Sequence, residues 1–136
     1  MKKLILPIDG TKRSLQTATW VMNTYSTEEV EIVIVMVADS MDELRYQQEY
    51  NSAAQYMITT LKRNCGVLKE KGYQVSFEAL FGDPGKEICD YAKENKADII
   101  VMTKSTKENW FDTIGSVTTY VVKYAKCPVM IIPENK

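Results

Sequence analysis

The side chains best suited to binding a phosphate group lie in one short stretch, between residues 103 and 117. Hydroxyl and ammonium groups are mixed there, and a glycine-serine pair follows them: Thr103, Lys104, Thr106, Lys107, Gly115 and Ser116. Ser116 stands at the start of a helical pattern, and the first turn of a helix presents backbone N–H groups that attract anions. The sequence therefore predicts that a binding site lies in this stretch.

The residue types that most enzymes use for catalysis are absent or scattered. The chain contains no histidine, which removes Ser–His and Cys–His pairs and the commonest metal ligand. Its three cysteines are widely spaced on or beside apolar segments, which is typical of buried thiols: Cys65, Cys89 and Cys127. No complete phosphate-loop motif and no Mg²⁺-binding carboxylate cluster is visible. We therefore expect a non-enzymatic protein without a metal site.

Length and charge indicate one ordinary globular domain that spans residues 1–136. The chain is 45% hydrophobic and 26% charged, which is usual for such domains. Its 17 basic and 18 acidic residues leave a net charge of −1, so no positive surface for nucleic acid or an anionic membrane is expected. No apolar run reaches the length of a membrane span. The expected location is the cytoplasm.

Apolar periodicity divides the chain into alternating strands and helices. Five strands are predicted, at residues 4–8, 30–37, 74–80, 99–102 and 129–132. Four helices are predicted between them: one that Ser14 can cap, one over about 41–71, one from Pro84 to near Lys96, and one that begins at Gly115 and ends before Pro128. This alternation predicts an α/β fold with a single open, doubly wound, mostly parallel sheet and helices on both faces.

Helical spacing also predicts which side chains of the first and last helices face the core. In the first helix these are Leu15, Ala18, Met22 and Tyr25, and in the last helix Ile114, Val117, Val121 and Tyr124. Gly72 stands where a left-handed residue is expected to end the second helix. Asp83 is expected to cap the third helix.

The chain resembles the universal stress proteins, the small α/β domains related to UspA. The likeness covers essentially all 136 residues. Five segments in this order carry it: LILPIDG (4–10), FGDP (81–84), ADIIVM (97–102), IGSV (114–117) and AKCPV (125–129). The resemblance implies a five-stranded sheet of strand order 3-2-1-4-5, usually a homodimer, and in one branch of the family a bound ATP or related adenine nucleotide such as AMP.

In that branch the resemblance also implies which positions contact the nucleotide. The matching positions of this chain are Pro7, Ile8, Asp9, Val37, Met102, Thr103, Thr106, Gly115, Ser116 and Val117. Asp9 would contact the adenine end. The residues alone allow an ordinary role as well, because an aspartate after a strand often forms a turn or caps a helix.

The sequence departs from the nucleotide-binding motif, which reads G-x-x-G, nine residues, then G-[S/T]. Thr103 and Thr106 replace the first two glycines, and only eight residues separate Thr106 from Gly115. A β-branched residue adopts a positive φ at a cost, and its side chain fills space that phosphates would use. We therefore expect ATP to bind weakly or not at all, and the protein to act through dimerisation and association with an unknown partner protein. The alternative is an adenine-nucleotide-dependent switch of the same fold.

The last strand is the expected dimer contact. Val129, Met130, Ile131 and Ile132 are apolar on both faces, although the fold implied by the resemblance puts this strand at the edge of the sheet. An apolar edge without charged residues invites pairing with a second copy across a two-fold axis. Lysine at Met130 or at Ile132 is accordingly expected to produce monomers.

Overall fold

The described structure, a computed structural model, covers residues 1–9, 15–38, 47–104 and 115–133, with the backbone alone for 47–51. Strands and helices alternate as β1 (Lys2–Pro7), α1 (Gln16–Thr24), β2 (Val30–Ala38), α2 (Gln47–Glu70), β3 (Gln74–Phe81), α3 (Pro84–Glu94), β4 (Ile99–Thr103), α4 (Ser116–Tyr124) and β5 (Val129–Ile132). The nine predicted elements are confirmed, and the ends that can be compared differ by a few residues. The predicted cap Ser14, the predicted start of the second helix near residue 41, and Ile114 lie outside the described residues.

The five strands form one sheet in the order β3-β2-β1-β4-β5. All four neighbouring pairs are parallel, so the predicted strand order is confirmed and the predominantly parallel sheet is parallel throughout. β1 lies at the centre, with Leu4 beside Ile32 of β2 and Ile99 of β4. The edges are β3 and β5.

Helices cover both faces of the sheet, because successive side chains of a buried strand point to opposite faces. Leu4 and Leu6 of β1 pack on one face with α1 and α2, whose buried residues include Val21, Leu61, Cys65 and Leu68. Ile5 packs on the other face with α3 and α4 through Ile88, Ala92 and Val121. The core thus consists of two apolar layers separated by the sheet.

The inner faces of α1 and α4 differ from the predicted ones by part of a turn. In α1 the buried residues are Thr17, Ala18 and Val21, so Met22 lies beside the buried face and not at its centre. In α4 the buried residues are Thr118 and Val121, whereas Tyr124 is 48% exposed. The apolar pattern was misleading because threonines occupy inner positions, where a short hydroxyl side chain fits against the sheet.

The ends of the helices agree only in part with the sequence prediction. Gly72 has φ +97° and ends α2 as expected. Asp83 is the N-cap of α3 and Pro84 follows it, but the Asp83 side chain makes no capping hydrogen bond. No helix in the described ranges is long and apolar enough to cross a membrane.

Candidate functional site

A cavity of about 210 Å³ lies at the carboxyl ends of β1, β2 and β4, next to the start of α4. The chain leaves β1 for β2 on one side, and β4 pairs with β1 on the other side. Parallel sheets bind ligands at such a point, because the loops diverge there and leave a crevice. The cavity is lined by Pro7, Ile8, Asp9, Val35, Val37, Pro84, Ile88, Met102, Thr103, Gly115, Ser116, Val117 and Thr118.

Nine of the ten site residues implied by the resemblance line this cavity; the tenth, Thr106, lies outside the described residues. Trp110 and Phe111, whose role the sequence left open, also lie outside them. Four lining residues were missed: Val35, Pro84, Ile88 and Thr118. Val35 could have been found from Val37, since residues two apart in a strand share a face. The sequence contains no comparable signal for the two α3 residues, whose place depends on how α3 packs.

Thr103 occupies the last position of β4 and is only 3% exposed. The argument that a threonine is strained here is wrong, because Lys96 is the one non-glycine residue of the described ranges with a positive φ. Thr103 therefore restricts the site through the volume of its side chain and not through its backbone.

A buried hydrogen bond fixes the start of α4 to the end of β4. The hydroxyl of Thr118 donates to the carbonyl oxygen of Thr103 at 3.1 Å, and Thr118 is 2% exposed. Both residues line the cavity. This bond explains why a threonine and not an apolar residue occupies the inner face of α4, and it sets the distance between two walls of the cavity.

Replacing Thr118 by valine is expected to lower the free energy of unfolding by about 1–2 kcal/mol, because the buried hydrogen bond between the Thr118 hydroxyl and the Thr103 carbonyl is lost. Thr119→Val is the matched control, since the Thr119 hydroxyl donates to the Gly115 carbonyl at an exposed position. Urea unfolding measures both. Equal losses of unfolding free energy in the two variants would show that the buried hydrogen bond stabilises the fold no more than the exposed one.

The first turn of α4 borders the cavity with its backbone. Gly115 is the N-cap and makes no side-chain hydrogen bond to the helix, and the first turn contains no acidic residue. Ser116 is the first helical residue, in agreement with its predicted place at the start of the helix. The Gly115 N–H donates to the carbonyl of Lys104 at 3.0 Å. The positive end of the helix dipole therefore borders the cavity.

The cavity is mostly apolar and carries little charge. Among the described residues that line it, Asp9 is the one with an ionisable side chain. The remaining polar groups are the hydroxyls of Thr103, Ser116 and Thr118 and the backbone at Gly115. This combination suits a flat, partly apolar ligand with a few hydrogen-bonding groups.

The three thiols lie away from the cavity and are poor nucleophiles. Burial raises the pKa of Cys65 to about 11. Burial also raises the pKa of Cys89 and of Cys127, and nearby acidic groups add to both shifts. All three are thus protonated at neutral pH, whereas the thiolate is the reactive form. None of them lines the cavity, so the site has no activated thiol.

Comparisons with known proteins agree with this architecture. The sequence model of the universal stress protein family matches residues 1–133. The chain is 29% identical over 145 residues to Universal stress protein MJ0531 of Methanocaldococcus jannaschii, and the match covers 99% of this chain and 84% of that protein.

Solved structures show the same fold. UspA from Lactobacillus plantarum superposes with a TM-score of 0.79 at 21% identity, covering 96% of this chain and 97% of that one. A universal stress protein family protein from Arabidopsis thaliana with AMP bound gives a TM-score of 0.76 at 20% identity, covering 99% and 93%. With the family model matching almost the whole chain, this protein belongs to the universal stress protein family.

Proposed function

We propose that this protein binds an adenine nucleoside monophosphate in the cavity beside α4 and responds to it without catalysing a reaction. The observation that carries the proposal is the composition of the cavity, which combines apolar walls, one carboxylate and a helix N-terminus whose N-cap is a glycine. The sequence favoured a protein without a nucleotide. The cavity instead supports the nucleotide-binding alternative, restricted to a ligand with one phosphate.

The apolar walls and Asp9 suit the base and the ribose. Val35, Val37 and Met102 present apolar surface to the cavity, and burial of a flat ring against such surface is favourable by about 25 cal/mol per Å². The Asp9 carboxylate can accept a hydrogen bond from an amino or hydroxyl group of the ligand. The AMP found in the Arabidopsis structure is a ligand of this class.

The start of α4 suits a single phosphate. Its N–H groups and dipole favour an anion by roughly 0.3–1 kcal/mol at exposed positions. A triphosphate needs more positive charge than this, yet no lysine or arginine is found among the described residues that line the cavity. Asp9 repels additional phosphates. AMP is therefore expected to bind more tightly than ATP.

Calorimetry with adenosine, AMP and ATP tests the proposal. The expected result is saturable AMP binding at micromolar concentrations, with ATP about tenfold weaker or more. No heat with any of the three ligands would overturn the proposal. ATP bound more tightly than AMP would show that residues beyond this cavity supply the missing cations.

Replacing Ser116 by glutamate is expected to weaken AMP binding about tenfold, because a carboxylate takes the place of the phosphate at the helix N-terminus. The same change is expected to stabilise the fold by about 0.5 kcal/mol, since an acidic residue in the first turn favours the helix dipole. Ser116 is exposed, so the new side chain fits. Thr119→Glu is the control, because Thr119 is exposed in the same helix but does not line the cavity. Loss of AMP binding in both variants would contradict this role of Ser116.

We further propose that the protein acts as a homodimer paired through β5. The two edges of the sheet differ in a way that supports this. The exposed positions of β3 are polar, namely Gln74, Ser76 and Glu78. The exposed position of β5 is Met130, which is 41% accessible. Polar and charged residues protect an edge strand against pairing, and β5 lacks that protection.

A further inference from the structure

We propose that a second, smaller cavity, at the amino ends of β4 and β5, binds a small oxyanion such as inorganic phosphate. Its volume is about 130 Å³, and it is lined by Ala92, Lys93, Lys96, Ala97, Lys126 and Cys127. It lies between the C-terminal end of α3 and the segments that enter β4 and β5. The first cavity is at the carboxyl ends of the strands, so the two sites are distinct.

Half of the lining residues of this cavity are lysines, in a protein with a net charge of −1. They come from three places: the last turn of α3, the residue that follows its cap, and the segment before β5. Within the described ranges, no ion pair involves any of these lysines. Three like charges around one cavity repel each other, and a bound anion removes that repulsion.

Two acidic residues adjoin the cavity lining in sequence, Glu94 and Asp98, and Asp98 is hydrogen-bonded to another strand. Asp98 follows Ala97, and its Oδ2 atom accepts a hydrogen bond from the backbone N–H of Lys3 at 2.7 Å. Asp98 still contributes negative charge here, because it helps to raise the pKa of Cys127. Three lysines against two neighbouring carboxylates still leave the surroundings of the cavity with a net positive charge.

The lysines are not needed to cap the end of α3. The N–H of Ala97 donates to the carbonyl of Ala92 at 2.9 Å, and the N–H of Lys96 donates to that of Lys93 at 3.3 Å. These two bonds form the Schellman motif that ends many helices. Asn95 binds the Tyr91 carbonyl through its backbone and its side chain, at 3.0 and 2.8 Å. Lys93 and Lys96 also favour the helix dipole, but Lys126 lies outside the helix and has no such role.

The backbone conformation of Lys96 is a second, independent argument for an anion site at this cavity. The helices α2 and α3 end with the same pair of hydrogen bonds. The left-handed residue is Gly72 in α2, with φ +97°, but Lys96 in α3, with φ +54°. Glycine adopts this conformation freely, whereas a lysine there costs conformational free energy. A costly lysine on the rim of a basic cavity indicates that its side chain is used.

The size and the floor of the cavity limit the ligand. Ala92, Ala97 and the Cys127 thiol supply small groups, and the thiol is protonated at neutral pH. The volume accommodates a single phosphoryl group and leaves no room for a nucleotide base. A doubly charged oxyanion gains most from three ammonium donors. Free phosphate and the phosphoryl group of a small metabolite share this chemistry.

Titration of the full chain with phosphate, followed by amide NMR at constant ionic strength, tests the inference. The expected result is saturable shifts at the amides of Ala97 and Cys127, at millimolar phosphate or below, with chloride producing no saturable shift. A parallel titration with glycerol 3-phosphate shows whether the site accepts a phosphoryl group on a carrier, and binding of either anion supports the proposal. If phosphate acts no differently from chloride, the proposal is wrong.

The variant Lys96→Gly distinguishes a loss of phosphate binding from a loss of folding, because its effects on affinity and on stability should have opposite signs. It removes a charge and relieves the left-handed backbone, so the midpoint of thermal unfolding should rise while phosphate affinity falls about tenfold. Lys126→Gln should lower the affinity by a similar factor. Lys62→Gln, at an exposed position of α2, is the matched control and should leave it unchanged. Wild-type affinity in both Lys96→Gly and Lys126→Gln would overturn the proposal.

Discussion

A protein in which Met130 is replaced by lysine is expected to be a monomer at concentrations where the wild-type chain forms a dimer. Met130 is the exposed residue of the edge strand β5. Pairing across a two-fold axis would bury two lysines together, and each desolvated ammonium costs several kcal/mol. The dissociation constant should rise at least about 100-fold, since 1.4 kcal/mol is a factor of ten.

Light scattering after size-exclusion chromatography, at micromolar to tens of micromolar protein, measures the effect. Ser76→Lys is the matched control, because Ser76 is an exposed residue of the opposite edge strand β3 and should leave the dimer intact. A monomeric wild-type protein throughout this range would refute the proposed dimer.

The structure also shows that Ile132→Lys is not an equivalent test, contrary to the expectation from the sequence. Ile132 is only 6% exposed and packs in the core layer beneath α1 and α2. A lysine there would bury a charge inside the fold, and unfolding could not be told apart from dissociation. Met130 is accordingly the residue to change.

Replacing Gly85 by alanine is expected to destabilise the protein by about 2 kcal/mol, although alanine normally favours a helix over glycine by about 1 kcal/mol. Gly85 lies in the first turn of α3, where α4 approaches closely. A β-carbon at this position would lie 2.7 Å from Cδ1 and 2.9 Å from Cβ of Tyr120. The Cβ of Tyr120 is fixed to its backbone, so the two helices must move apart.

Gly66→Ala is the control with the opposite sign. Gly66 is a helical residue of α2, four positions before its last residue, and nothing approaches within 4 Å of the position its β-carbon would take. This variant should gain about 0.5–1 kcal/mol. Denaturant unfolding of both variants gives the comparison. A stabilised Gly85→Ala protein would show that Tyr120 yields easily, and that the α3–α4 contact does not hold the cavity walls.

The order of elements was predicted well because four strands contain an apolar run and β3 shows a clear alternation of polar and apolar residues. Ile99–Met102 and Val129–Ile132, for example, lie in strands whose bounds match to within a residue. The strand order came from the resemblance, since periodicity does not reveal which strands are neighbours. The predicted inner faces of α1 and α4 differ from the observed ones because Thr17 and Thr118 are buried. A search for apolar residues does not include threonine.

The candidate site was predicted residue by residue on the strands and less well on the helices. Asp9, Val37 and Met102 came from the family resemblance, and they line the cavity because the carboxyl ends of parallel strands meet at one edge of the sheet. Pro84 and Ile88 were missed because their position depends on the close α3–α4 contact at Gly85, which is a property of the packed structure. The conformational cost predicted for a positive φ at Thr103 was wrong, because the backbone of Thr103 belongs to the strand and not to the loop.

The central position of β1 has a consequence for how the chain is made. The first partner of β1 is β2, which follows soon after it, but its second partner β4 begins at Ile99. The bond between the Lys3 N–H and Asp98 joins residues 95 positions apart. During synthesis one edge of β1 therefore stays open until β4 has left the ribosome, and an open apolar edge is prone to aggregation. Both cavities are lined in part by residues beyond position 100, so neither ligand can assist the early steps, and chaperones that cover strand edges would act in that interval.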